Sequence, residues 1–387
     1  MPGYFDNTPE RRSTNSVKWK AYDADILPLW VADMDFLSPP AVIEALHQRV
    51  EHGIFGYTYE PQELRDLIVA RLKDLYNWAI KPEDIVFLPG VINGFNLACR
   101  MIARQHPNSQ VIVQPPVYPP FLVAAEHNNL PRLDIPLVDT GSGYYEIDFE
   151  AFEQAITPQA KLFILCNPHN PVGRVFTRAE LTRLAEICER HDVLICSDEI
   201  HCDLIFSGQQ HIPVASLSPE IASRTITLMA PSKTYNIAGL EGSFAVIPDP
   251  EMRRAYEKSR AGLTGHINVL GVTAAIAAYQ GGQSWLTELL AYLESNRDLL
   301  ASYVQQNLPG LSMFSPEGTY LAWINCREAR IPGNPQKFFL ENARVAMNNG
   351  DDFGMGGQGF VRLNFGTSQA ILLEALERMQ TALAQLD

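Results

Sequence analysis

The 387-residue sequence has no Cys-x-x-Cys pair, no long block of Lys or Arg and no Gly-x-Ser-x-Gly, and each absence closes off a class of protein. The six cysteines (Cys99, Cys166, Cys188, Cys196, Cys202, Cys326) stand apart, several inside apolar runs such as Leu162-Phe163-Ile164-Leu165-Cys166, where a buried reduced thiol is the ordinary state. A disulfide scaffold is excluded and a reducing compartment expected, since a chain this long builds a core without covalent staples. Lys and Arg number 30 against 44 Asp and Glu, a net charge of −14, so the clustered cations that hold a phosphate backbone are missing and nucleic acid is not an expected partner. No apolar run approaches the roughly 18 residues of a membrane span, and Met1 to Asp6 show no basic stretch leading into an apolar one. No membrane partner is expected, and the protein is expected to be soluble and cytoplasmic. Without the Ser elbow, hydrolase chemistry has no anchor.

What is present is a globular composition, 46% hydrophobic and 19% charged, long enough for two or three domains. Short β-branched runs alternate with amphipathic stretches: Ile85-Val86-Phe87-Leu88, a helix to about Gln105, Val111-Ile112-Val113, Leu162-Phe163-Ile164-Leu165, a helix near 178–191, Val193-Leu194-Ile195-Cys196 and Thr225-Ile226-Thr227-Leu228. Strands apolar on both faces with helices between them predict an α/β core built on a mainly parallel sheet. After about residue 283 a long helix (285–306), shorter strands (319–325 and 360–365) and a final helix near 368–386 predict a second, smaller α+β domain.

Three motifs are set aside. Gly354-Met355-Gly356-Gly357-Gln358-Gly359 fits the dinucleotide fingerprint, but polar Asn348-Asn349-Gly350-Asp351-Asp352 precedes it and a strand follows, the reverse of what that site needs, so it reads as a mobile glycine loop. Ser232-Lys233-Thr234 lacks the glycines of a P-loop. His191, His201, Cys202, Asp203 and His211 have no metal-ligand spacing.

Three pieces sit where parallel strands should end, the ligand-binding edge of an open α/β sheet. Ser197-Asp198-Glu199 follows one apolar strand, Ala230-Pro231-Ser232-Lys233-Thr234-Tyr235 another, and Cys166-Asn167-Pro168-His169-Asn170-Pro171-Val172-Gly173 a third. Singly they are as well explained by a helix cap, a snorkelling lysine and a turn. Together an Asp, a Lys and an Asn on neighbouring strand ends suit pyridoxal phosphate: a lysine for the Schiff base, a carboxylate for the pyridine nitrogen and an amide for the ring hydroxyl.

With these residues in view, the sequence resembles the fold type I pyridoxal phosphate enzymes of the class I/II aminotransferase superfamily over essentially its full length. Within them it looks most like the cystathionine β-lyase or carbon–sulfur lyase subgroup of MalY/PatB type, through Leu29-Trp30-Val31-Ala32-Asp33-Met34-Asp35-Phe36, His52-Gly53-Ile54-Phe55-Gly56-Tyr57, Ser197-Asp198-Glu199-Ile200-His201 and Phe360-Val361-Arg362-Leu363-Asn364. The resemblance implies that Lys233 carries the cofactor, Asp198 pairs with the pyridine nitrogen, Asn170 meets the ring hydroxyl and Tyr118 stacks on the ring. It implies that the amides of Val91 and Ile92 and the Ser232 hydroxyl hold the phosphate, that Arg362 takes the substrate carboxylate, and that His201 is a neighbour of the cofactor or else a structural histidine. Tyr57 matches a family tyrosine that reaches the phosphate of the neighbouring subunit, which implies a homodimer with shared active sites; Tyr57 and Tyr118 are candidates to assist the leaving group.

Where many relatives carry a phosphate-binding arginine, eight positions after the lysine, this chain has Glu241, whose role stays open. The architecture implied is a large domain at 47–283 and a small domain from 1–46 and 284–387. The activity implied is β-elimination from L-cystathionine or a related cysteine S-conjugate to a thiol, pyruvate and ammonia. An aminotransferase needs the same residues, and a cofactor-binding regulator is a third reading.

Overall fold

The computed structural model describes residues 3–141 and 143–386. Among them a seven-stranded sheet is assembled from β1 (Ile85–Leu88), β2 (Gln110–Val113), β3 (Arg132–Asp134), β4 (Ala160–Cys166), β5 (Leu194–Asp198), β6 (Thr225–Met229) and β7 (Ser243–Val246). Their spatial order is β1-β7-β6-β5-β4-β2-β3, and β7 alone runs antiparallel, between β1 and β6. The four residues of β1 and all five of β6 are buried, the pattern of strands covered on both faces.

One face is covered by α1 (Val91–Gln105), whose Phe95, Ala98 and Ile102 pack with Leu228 and Ile226 of β6. That packing depends on Gly94, because a Cβ there would lie 2.7 Å from a Leu228 methyl. The other face is covered by α2 (Arg178–Arg190), entered through a capping box between Thr177 and Glu180.

A second sheet is built from β8 (Ser312–Met313), β9 (Leu321–Asn325), β10 (Asn348–Asn349) and β11 (Phe360–Asn364) in the order β8-β9-β11-β10. Its core includes α3 (Gln283–Asn307), α4 (Gln369–Leu383) and apolar residues of the N-terminal segment such as Leu29 and Met34. Cys99, Cys166, Cys188, Cys196, Cys202 and Cys326 are all buried and unpaired.

The sequence reading departs from the structure in four places. Ser197 and Asp198 belong to β5 and do not follow it: Leu165 and Cys166 of β4 stay in register with them after the apolar stretch has ended. Asn348-Asn349, expected as a polar lead-in, is a strand on the edge of the second sheet, because its backbone is paired with Arg362 and Val361. The glycine loop after it is close-packed, since a Cβ on Gly357 would sit 1.9 Å from the Gly350 carbonyl oxygen. Strand β7, inserted antiparallel between the edge strand β1 and β6, has no counterpart in the sequence reading.

Candidate active site

The segment 30–36 is laid across the edge of the large sheet by paired charges. Asp35, buried, accepts from Lys18 Nζ at 2.8 Å, Arg11 Nη1 at 2.7 Å and Trp19 Nε1 at 2.7 Å, while Asp33 is held by Arg11 Nη2 at 2.9 Å. Burial alone would raise the Asp35 carboxyl; Lys18, itself buried, and Arg11 hold it below the usual carboxylate range. Alternate residues of β11 then pin the segment from the other side. Arg362 Nη2 donates to the Trp30 carbonyl at 2.9 Å, and Asn364 Nδ2 donates to the carbonyls of Val31 and Asp33 at 2.6 and 2.7 Å. Two sequence motifs more than 300 residues apart thus form one wall.

Beneath that wall lies a cavity of about 500 Å³, bounded by the ends of β1, β4, β5 and β6 and lined by Lys233, Asp198, Asn170, Tyr118, Val91, Ile92, Ser232, His201 and Arg362. Of the residues singled out from the sequence, only Tyr57 is absent from it; Tyr57 is fully exposed on a segment without regular structure. Asp198, the last residue of β5, is 3% exposed, and its Oδ1 accepts from the Ile200 amide at 3.1 Å. Burial pushes its carboxyl up to about 7, the Ile200 amide opposing, with the neighbouring Glu199 adding to the rise and Lys233 opposing it.

Lys233 lies in the short helical turn Pro231–Thr234 after β6, and its Nζ donates to the Ala32 carbonyl at 2.7 Å. Burial brings its amine down to about 8, Arg362 adding to the fall while Asp33 and Asp198 oppose it. The next residue, Thr234, donates to Asp203 Oδ2 at 3.0 Å, and Asp203 in turn is paired with Arg71 at 2.6 Å, so the turn carrying the lysine is tied to a charge pair in the core.

Arg362 is 5% exposed with no carboxylate partner among the described residues, which removes an internal salt bridge as its explanation. Its Nη1 donates to Asn170 Oδ1 at 3.0 Å and its Nη2 to Asn348 Oδ1 at 2.7 Å, all neutral acceptors, and its buried Nε has no partner. Burial lowers the guanidinium to about 10, Tyr118 and Tyr320 opposing. A desolvated cation that lines a cavity and has no carboxylate partner is a site for an anion.

His201 is buried, its imidazole brought down to about 3 by burial and then by Lys233 and Arg362, so it is neutral; its ring meets Tyr320 edge-on at 5.9 Å. Tyr118 borders the cavity half-buried, its hydroxyl raised by burial and by Asp198. At the other end Gly90 precedes α1 in extended conformation with no side-chain cap, leaving the first-turn amides, including those of Val91 and Ile92, to an anion. Ser232 lines the same cavity.

Sequence reasoning missed Asn348, which lines the cavity and orients Arg362; its signal was a polar residue in register opposite an arginine, invisible until β10 was known to pair with β11. It also missed the carbonyls of Trp30 and Ala32, since backbone atoms leave no trace in composition. Glu241 also lines the cavity, exposed and at φ 50°. His211 and His191 are engaged by Glu199 at 2.8 Å and Glu153 at 3.3 Å.

The sequence matches the family Aminotransferase class I and II over residues 24–379. It is 42% identical to cystathionine beta-lyase PatB of Bacillus subtilis (strain 168) over 389 residues, covering 98% of this chain and 100% of that one. Among solved structures it is similar to the crystal structure of OvoB, with a TM-score of 0.93, 44% identity and 98% of each chain covered. It is also similar to the PLP-bound C-S lyase from Staphylococcus hominis, with a TM-score of 0.90, 34% identity, 98% of this chain and 97% of that one.

Proposed function

Because the chain belongs to the class I and II aminotransferase family, we propose that it is a pyridoxal phosphate-dependent carbon–sulfur β-lyase, cleaving L-cystathionine or a related cysteine S-conjugate to a thiol, pyruvate and ammonia. The observation that carries the proposal is the convergence of Lys233, Asp198, Asn170 and Arg362 on one cavity, in a chain whose 42% identity to a cystathionine β-lyase runs end to end.

The residues fit the cofactor. Asp198 is a buried carboxylate short of a cationic partner, which a protonated ring nitrogen supplies. Asn170 has its Oδ1 committed to Arg362, leaving its amide hydrogens for the ring hydroxyl. The uncapped start of α1 and Ser232 suit a phosphate, and the Tyr118 ring a stacked heterocycle. Pyridoxal phosphate, when bound, supplies an electron sink conjugated to the substrate α-carbon.

This chain's residues do the rest. Arg362 holds the α-carboxylate, oriented by Trp30, Asn170 and Asn348. Lys233 Nζ, held near Ala32, accepts the α-proton as general base, its lowered pKa keeping a neutral amine available near physiological pH. Asp198 would hold the ring nitrogen of the bound cofactor as a cation, the state in which the ring accepts electrons from the α-carbon.

The test is to mix protein, pyridoxal phosphate and excess L-cystathionine without a keto acid and count pyruvate per site. Many turnovers are expected; a single turnover revived by a keto acid would make the protein an aminotransferase, which uses the same residues. Arg362→Lys keeps the charge but loses the planar fork, and it is expected to raise KM at least about tenfold with cofactor absorbance retained. An unchanged KM would remove Arg362 from the carboxylate site.

We further propose a homodimer in which Tyr57 serves the partner's site. Ile54, Phe55, Tyr57 and Tyr59 are exposed along one segment, an apolar face that a second copy would cover. Sedimentation is expected to give twice the chain mass, and a monomer with full activity would refute the shared site. We also propose the division into domains at 47–283 and at 1–46 with 284–387; the large sheet lying within the first span and the second sheet within 284–387 support it, although the boundary at 46/47 falls inside the helix Pro40–Glu51. A cytoplasmic location suits six buried thiols.

A further inference from the structure

Behind Asp198, on the side away from the cavity, lies a second acid that the proposed chemistry leaves unused. Glu199 is completely buried, and its carboxylate is fully hydrogen-bonded: Oε1 accepts from Ser197 Oγ at 2.8 Å and from the Val214 amide at 3.1 Å, and Oε2 meets His211 Nε2 at 2.8 Å. Three donors converging on one buried carboxyl are what its ionised form requires. The other nitrogen of His211, Nδ1, is buried and has no partner. An imidazolium would bury an unsatisfied N–H there, whereas the neutral ring with its hydrogen on Nε2 leaves only an unused lone pair, the cheaper of the two.

We propose that Glu199 and His211 form a pair with a net charge of −1, and that this buried charge acts through Asp198 to keep the cofactor ring nitrogen protonated. Glu199 is thereby a positioning residue. The inference rests on the cofactor reading above and deepens it.

The surroundings leave that charge uncancelled. Tyr76 meets the His211 ring edge-on at 5.5 Å, and the Tyr76 hydroxyl faces the Cys202 carbonyl and Asp203. Asp203 is matched by Arg71, so that pair contributes no net charge, and Cys202 is raised well above its usual range by burial and keeps its proton. On the cavity side stand Asp198 and Lys233, and Glu199 is among the groups that raise Asp198. Strand β5 ends on Asp198 and Glu199 follows it directly, so that Asp198 faces the cavity while Ser197 and Glu199 bond to each other behind it.

The first test uses the wild-type protein without cofactor. ¹⁵N NMR of labelled histidine at pH 8, with the His211 resonances assigned by their loss in His211→Asn, is expected to show the neutral Nε2–H form. An imidazolium or Nδ1–H signal there overturns the proposal. The second reads the ring nitrogen of ¹⁵N-labelled pyridoxal phosphate bound to Glu199→Gln. That nitrogen is expected to lose its proton about one pH unit lower than in the wild type, with kcat down about tenfold and KM unchanged, the effect of removing one nearby charge. A ring-nitrogen signal and kcat equal to wild type overturn it. If Glu199→Gln does not fold, the histidine measurement still decides. Failure of the wild-type protein to bind the cofactor at all would overturn the functional reading instead.

Discussion

Lys233→Ala is expected to leave no more than about 10⁻⁴ of wild-type pyruvate release, because one amine is asked both to carry the cofactor and to take the α-proton. The side chain reaches the cavity from a turn fixed by Thr234 and the Asp203–Arg71 pair, so its loss should not disturb the fold. Circular dichroism is expected to match the wild type while the covalent cofactor absorbance disappears. Residual turnover above about 1% would transfer the general-base role elsewhere. The lowered amine has its own signature: cofactor uptake by the wild-type protein should accelerate with pH around a midpoint of about 8, where an ordinary lysine would still be protonated. A midpoint above 10 would contradict a desolvated amine.

Asp198→Asn is expected to lower kcat by about 10³-fold or more, since an amide cannot hold the ring nitrogen as a cation. The same substitution has an opposite effect on the protein without cofactor. In the folded chain the Asp198 carboxyl stands at about 7, above its unfolded value of 3.8, so the folded state binds the extra proton between these pH values. Stability from this group is therefore present below pH 4 and is lost as pH rises toward 7, by up to about 4 kcal/mol at 1.36 kcal/mol per unit. The amide of the variant has no charge to lose. Thermal unfolding of the cofactor-free variant is expected at a higher temperature than wild type at pH 8 and at the same temperature at pH 4. Equal melting at pH 8 would show that Asp198 is not a desolvated carboxyl. Cofactor binding should itself erase the difference, by giving the carboxylate its cation.

Arg362 shows how far one residue could be read in advance. A guanidinium in an apolar strand signalled a need for an anion, and the structure supplies neutral acceptors only, from Trp30, Asn170 and Asn348. Asn348 could not be found the same way, because an asparagine among polar neighbours looks like a loop until strand pairing gives it a partner. Glu199 was likewise hidden behind its neighbour. As one acid in a run of two it carried no mark of its own, and its role comes from His211, twelve positions on, and from Val214.

From the sequence alone came the α/β class, most strand and helix positions, and the group Lys233, Asp198, Asn170 and Arg362, because burial on both faces of a parallel sheet writes itself as apolar runs and reactive residues stand out at their ends. The place of β7, the wall made from residues 30–36 and β11, the unpartnered Nε of Arg362 and the charge behind Asp198 were decided only by tertiary structure. Each depends on atoms brought together from distant parts of the chain, and on a low-dielectric interior in which a single missing partner changes what a charged group will do.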